Sequence, residues 1–161
     1  MRKIKYLILI AALLFPSITA QARSYVDEET PIEVQIACNK YGEQYNICPE
    51  LLTAICWQES RYRESVVDGS GSCVGLMQIQ ARSHKARMKR LGVNDLTDID
   101  SNIMVGADYL AELFEDYEDV GVVLTIYHGE KNVDRAKRGE LSNYVTQILE
   151  NSERLERLHG K

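Results

Sequence analysis

Between residues 31 and 158, apolar side chains recur mostly at helical spacing. From Pro49 to about Ser60, Leu52, Ile55 and Cys56 fall at i, i+3 and i+4, one face of a helix. Pro49 suits the first turn, where a missing N–H costs nothing. The next position on that stripe is Glu59, so a face aimed at a core ends in a carboxylate. The pattern then breaks: Asp68-Gly69-Ser70-Gly71-Ser72 reads as a turn, and Val74-Gly75-Leu76-Met77-Gln78-Ile79 is a compact apolar run. Upstream, Pro31 opens a helix to about Tyr41, with Ile32, Ile36 and Tyr41 on its apolar side and Gly42 as its stop. Downstream, Ser83 is the expected N-cap of a basic helix, His84 to Leu91, closed by Gly92. Asp100 or Ser101 caps a long helix reaching Tyr117, with Ile103, Gly106, Ala107, Leu110, Leu113, Phe114 and Tyr117 inward. Val120 to Tyr127 is a short apolar helix, and Val133 to Lys137 a marginal one. Leu141 to about Leu158 is a last helix, with Tyr144, Val145, Ile148 and Leu149 inward and a charged end. About six or seven helices, with at most a scrap of strand near Val74–Ile79, predict an all-α domain.

The first residues differ in character. Arg2, Lys3 and Lys5 make a basic start, Tyr6 to Phe15 is apolar, Pro16 breaks the run, and Ala20-Gln21-Ala22 is an A-x-A cleavage site. This predicts a signal peptide over residues 1–22 and a mature chain from Arg23, exported to the periplasm, the cell wall or the medium. The apolar run is too short for a comfortable membrane span, and no Cys follows the cleavage site, so no stable membrane anchor is expected. Residues 23–161 form one domain's worth of chain, with a core over about 31–150. The formal charge is -5, and loss of the three cations Arg2, Lys3 and Lys5 takes it to -8. That balance argues against nucleic acid as a partner and permits a polymer that is neutral, cationic or of mixed charge. The run Arg82, His84, Lys85, Arg87, Lys89, Arg90 reads as a solvated helix face, with a grip on an anionic polymer as the functional alternative.

Four cysteines, Cys38, Cys48, Cys56 and Cys73, lie in the first half of the mature chain. An even count in an exported protein suggests disulfides. Four cysteines allow three connectivities; Cys38–Cys48 and Cys56–Cys73 are the favoured pairs, with buried free thiols as the alternative. Their spacing matches no zinc pattern, so no metal is expected. His84, His128 and His159 are scattered, and neither a nucleophilic triad nor a phosphate loop is present, so no cofactor is expected. Glu59 remains the chemical candidate. A carboxyl at the edge of a core is costly to ionise, holds its proton toward neutral pH and can act as a general acid. Its structural alternative is a frayed helix end paired with Arg61 or Arg63.

Read together, Glu59-Ser60, Gly75-Leu76-Met77-Gln78-Ile79, Asn102-Ile103 with Gly106 and Tyr109-Leu110, then Tyr127, then Tyr144-Val145 resemble the catalytic domain of lytic transglycosylases. The resemblance is to the soluble-lytic-transglycosylase type, with a goose-type-lysozyme-like fold, and covers about Ile32 to Leu149. It implies that Glu59 is the single catalytic acid/base, acting on peptidoglycan glycan strands between N-acetylmuramic acid and N-acetylglucosamine. The muramic C6 hydroxyl would attack C1 and close a 1,6-anhydro ring, whereas most glycosidases need a carboxylate pair. Asp68 is the only acid between Glu59 and the Gly-Leu-Met-Gln run and is not read as a second catalytic group.

The resemblance further implies that Ser60 supports the groove wall and that Gly75 lets the backbone approach the sugar. Met77 and Gln78 would line the groove, Gln78 bonding glycan polar groups. Tyr127 would reach the glutamate or the sugar, and Tyr144 would be a groove tyrosine. Two departures stand out. The family's Ala-Tyr-Asn motif reads Ile126-Tyr127-His128, which puts a titratable ring where an amide is usual. Cys73 takes a position usually held by a small residue. A muramidase of the same fold and a non-catalytic glycan-binding module are the alternatives. The small exported architecture resembles transglycosylases that serve secretion, conjugation or phage machinery in the envelope.

Overall fold

The computed structural model describes residues 29–161, so the expected signal peptide lies outside the described residues. Seven helices appear among them: α1 Ile32–Tyr45, α2 Pro49–Ser60, α3 Lys85–Leu91, α4 Ile99–Asp116, α5 Val120–Tyr127, α6 Val133–Ala136 and α7 Asn143–Leu158. Two two-residue strands, β1 Cys73–Val74 and β2 Ile79–Gln80, pair antiparallel with Cys73 opposite Gln80 and Val74 opposite Ile79. The domain is all-α, as expected, with this ribbon as its only sheet among the described residues. None of these helices is long and apolar enough to cross a membrane.

The core is one cluster. α2 packs on α7 and on α1, α1 lies along α4, and α4 supports α5. Leu52, Ile55, Leu76, Met77, Ile103, Leu110, Leu124, Ile148 and Leu155 are fully buried within it. Burial of each such side chain contributes about 2 kcal/mol. Leu76 and Met77 come from the segment between β1 and β2, so that segment is anchored in the core rather than draped over it.

Three expected helix caps are not the ones used, each for a local reason. α1 runs past Gly42 and ends at Asn46, whose left-handed φ of 54° caps it. Gly42 is there for contact: a Cβ would sit 2.7 Å from Ile47 O and 2.8 Å from Pro49 Cγ. α4 is capped by Asp98, which accepts from Ser101 N, while Asp100 accepts from Lys40 Nζ and Tyr41 OH on α1. Ser83 does not cap α3; its hydroxyl bonds Gln80, and the helix starts at Lys85.

Two further expectations are corrected. The basic run is not wholly a solvated face: the Arg87 side chain is largely covered, 9% exposed, and with Arg90 it grips Asp108 of α4, which also accepts from Tyr45 OH. All four cysteines are free, so neither Cys38–Cys48 nor Cys56–Cys73 is formed. Cys48 lies at the start of α2 against Glu50, Cys73 lies on the β1 ribbon, and Cys56 has Cys38 as its sulfur neighbour.

Candidate active site

α2 carries Glu59 in its last turn, half-buried, into a cleft of about 390 Å³. Glu59, Gln78, Ile79, Tyr109, Tyr127 and His128 all line that cleft, joined by Asp68, Cys73, Gln80, Ser83 and His84. The helix-end alternative fails on geometry. Arg61 curls back to Trp57 O at 2.6 Å and stacks on the Trp57 ring, and Arg63 Nε donates to Ser60 O at 2.8 Å. Neither guanidinium pairs with Glu59.

The partner Glu59 does have is Tyr144, whose hydroxyl donates to Oε1 across from α7. His128 stacks face-on against Tyr144, with ring centroids 3.6 Å apart. Burial raises the Glu59 pKa; the Tyr144 hydrogen bond and the nearby His128 pull it down but do not cancel the burial. The carboxyl therefore holds its proton at higher pH than an ordinary glutamate does, with one oxygen fixed by Tyr144. Burial and the neighbouring Glu59 charge raise Tyr144 far beyond the ordinary phenol range, so it remains a donor.

The opposite wall depends on one asparagine. Asn102 of α4 is 1% exposed. Its amide nitrogen donates to Val74 O at 2.9 Å and Leu96 O at 2.7 Å, and its oxygen accepts from Met77 N at 2.8 Å. Gly75 has φ 79° and lies against this amide; a Cβ there would collide with Asn102 Nδ2 and Leu96 O. Gly106 leaves room for the Met77 sulfur. Tyr127 OH donates to Met77 O at 2.8 Å from α5. The segment is thus pinned by α4 and α5, and Gln78 is left facing the cleft.

Ser60, Gly75 and Met77 therefore stand behind the groove rather than on its wall. Ser60 is buried and donates to Cys56 O at 3.0 Å, a bond internal to α2. Gly75 approaches Asn102, not the open cleft. Met77 is a core residue. Gln78, Tyr127 and His128 do line the cleft, and Tyr144 sits behind Glu59. Gln78 takes φ 47°, and its amide also donates to Gly75 O and Val66 O.

Asp68, the second acid in the cleft, is committed to its turn. It accepts from Ser70 Oγ at 2.6 Å, Ser72 N at 2.6 Å and Cys73 N at 3.0 Å. Those bonds, that of Ser70 first, lower its pKa and leave it a weak base. The residues missed from sequence are His84 and Tyr109. Their rings lie 4.6 Å apart, and Tyr109 lies 5.6 Å from Tyr127, forming an aromatic flank to the cleft. In the sequence Tyr109 belongs to a motif that assigns it no role, and nothing in the basic run distinguishes His84. Burial and then Arg87 lower the His84 pKa, against Glu112, so its ring favours the neutral form.

Known proteins match this chain in sequence and in fold. The family model of the transglycosylase SLT domain matches residues 36–144. The X polypeptide of Escherichia coli is 43% identical over 82 residues, which are 46% of this chain and 47% of that protein. A transglycosylase of Enterobacteria phage PRD1 is 37% identical over 89 residues, 55% of this chain and 32% of that protein. The chain thus spans about half the length of the first relative and about a third of the second. In fold it is similar to an inactive mutant of the lytic transglycosylase Slt from Pseudomonas aeruginosa, with TM-score 0.65 and 19% identity over 79% of this chain and 24% of that one.

Proposed function

Because the chain belongs to the transglycosylase SLT domain family, we propose that it is an exported peptidoglycan lytic transglycosylase with Glu59 as its single acid/base. The observation that carries this reading is a half-buried glutamate with a raised pKa, held by a tyrosine and open to a cleft. In the proposed reaction the neutral Glu59 gives its proton to the oxygen linking N-acetylmuramic acid to N-acetylglucosamine as the C1–O bond breaks. The resulting carboxylate then takes the proton of the muramic C6 hydroxyl while that oxygen bonds C1. Atoms balance without water, and Glu59 ends protonated as it began.

Tyr144 supports the carboxylate formed in mid-reaction and fixes which oxygen faces the bond. Gln78, with its backbone held in the left-handed region, offers a polar edge to the glycan. Tyr127, Tyr109 and His84 offer ring faces to the sugars. A hydrolase of the lysozyme type would need a base to activate water, and Asp68, tied up in its turn, is poorly suited to that task. The relative from a phage fits service in an envelope-penetrating assembly, as does export through residues 1–22.

The test is turbidity clearance of purified sacculi by wild type and Glu59→Gln. The reading requires clearance by wild type and a loss of at least about a thousandfold in the variant. Equal clearance by both removes Glu59 from the chemistry, and no clearance by either favours a glycan-binding module.

A further inference from the structure

The cysteines are not absorbed by the proposed chemistry. α1 and α2 form an antiparallel helical hairpin through the turn at Asn46–Cys48. In such a hairpin, residues equally far in sequence from the turn lie at the same level along the two helices, and Cys38 and Cys56 are equidistant from Ile47. Both are 0% exposed, and Cys38 is the neighbouring group that acts most strongly on the Cys56 thiol. The other two are held elsewhere. Cys48 donates to Glu50 Oε2 at 2.9 Å, and Cys73 borders the cleft beside Asp68.

We infer that Cys38 and Cys56, free thiols in this structure, join under oxidising conditions in a disulfide that staples α1 to α2, while Cys48 and Cys73 stay reduced. The S–S bond forms as both S–H bonds break; two protons go to solvent and two electrons to a thiol–disulfide oxidant. Oxidation belongs to folding, because the finished hairpin seals both sulfurs from solvent. Burial, then contact with Cys38, raises the Cys56 pKa and makes the folded thiol a poor nucleophile. The staple has a functional consequence that rests on the proposed role of Glu59. Cys56 lies one turn before Glu59 on α2, so the bond fixes the helix that presents the acid.

The test uses the full chain, refolded from urea either in a glutathione/glutathione-disulfide buffer or in excess reductant. Free thiols are then alkylated under denaturing conditions and mapped by mass spectrometry. Expected in the oxidised sample is one crosslinked pair of peptides, carrying Cys38 and Cys56, with alkyl groups on Cys48 and Cys73. The oxidised protein should melt roughly 10 °C above the reduced one. That gap should persist in Cys48→Ser/Cys73→Ser and vanish in Cys38→Ala/Cys56→Ala. The Cys48→Ser/Cys73→Ser protein keeps the pair intact and decides the matter if the alanine variant does not fold. Four alkylated cysteines, or any other pairing, would overturn the inference without touching the glycan reaction, which is read by a separate assay.

Discussion

Replacing Asn102 with aspartate probes the strut behind the cleft. The native amide donates to two carbonyls, Val74 O and Leu96 O, and accepts from Met77 N. Aspartate keeps the shape and the acceptor. Ionised, it sets a negative oxygen against two carbonyls with no proton between them; protonated, it donates to one. Burial and the carbonyl dipoles both favour the neutral form, so its folded pKa should rise by roughly 3 units. The sign follows from linkage. The folded pKa lies above the unfolded one, so the penalty is absent below the unfolded pKa and grows until pH passes the folded pKa. Three units correspond to about 4 kcal/mol. One lost neutral hydrogen bond adds about 1 kcal/mol at every pH. Urea unfolding of wild type and Asn102→Asp at about pH 4 and about pH 7 measures the stability gap at each. The gap should widen from about 1 kcal/mol to about 5 kcal/mol between those two values. A gap that is the same at both, or smaller near neutrality, would refute the arrangement of Asn102 between two carbonyls.

Tyr144→Phe removes the donor to Glu59, and activity on sacculi should fall roughly tenfold. Because that bond lowers the Glu59 pKa, the alkaline limb of the pH–rate profile should move to higher pH. Glu59→Gln should raise the melting temperature above the ordinary carboxyl range and leave it unchanged in acid. The reason is that a folded pKa above the unfolded value makes ionisation destabilising as pH rises. Glu50 runs the other way. Burial opposes its ionisation, but bonds from Cys48, Lys161 and His159 bring it from 4.5 to about 2. Its stabilisation, at most about 3 kcal/mol, is present above the ordinary value and is lost as pH falls toward the folded one. Glu50→Gln should therefore be less stable than wild type at pH 7 in a urea titration, with the difference closing in acid.

The helix bearing Glu59 was legible to the residue, because Pro49 marks its start and the apolar stripe its length. α5 and the Gly92 cap of α3 were equally plain. Gly42 misled because a glycine that clears space for a neighbouring helix has the same sequence signature as one that ends a helix. Asp98 and Asp100 are both acids near a helix start, and only the packing of α1 shows that Asp100 is taken by Lys40 and Tyr41. Arg87 was readable in retrospect. Asp108 interrupts the apolar face of α4 between Ala107 and Leu110, and a buried carboxylate requires a cation.

The candidate site divides along the same line. Glu59, Gln78, Tyr127, His128 and Tyr144 emerged from a motif order and stand at or beside the cleft. Ser60, Gly75 and Met77 belong to the same motifs but build the support, since a motif records scaffold and surface alike. The Tyr109–His84 flank needed tertiary structure, because α4 and the start of α3 meet only in the folded chain.

The most direct measurement is the mass of the glycan ends released from sacculi by wild-type protein. If Glu59 works with the C6 hydroxyl of the sugar as nucleophile, the new muramic ends will be 1,6-anhydro rings, lighter by one water than reducing ends, and Glu59→Gln will release none. Reducing ends from wild type would contradict that account and make the protein a hydrolase.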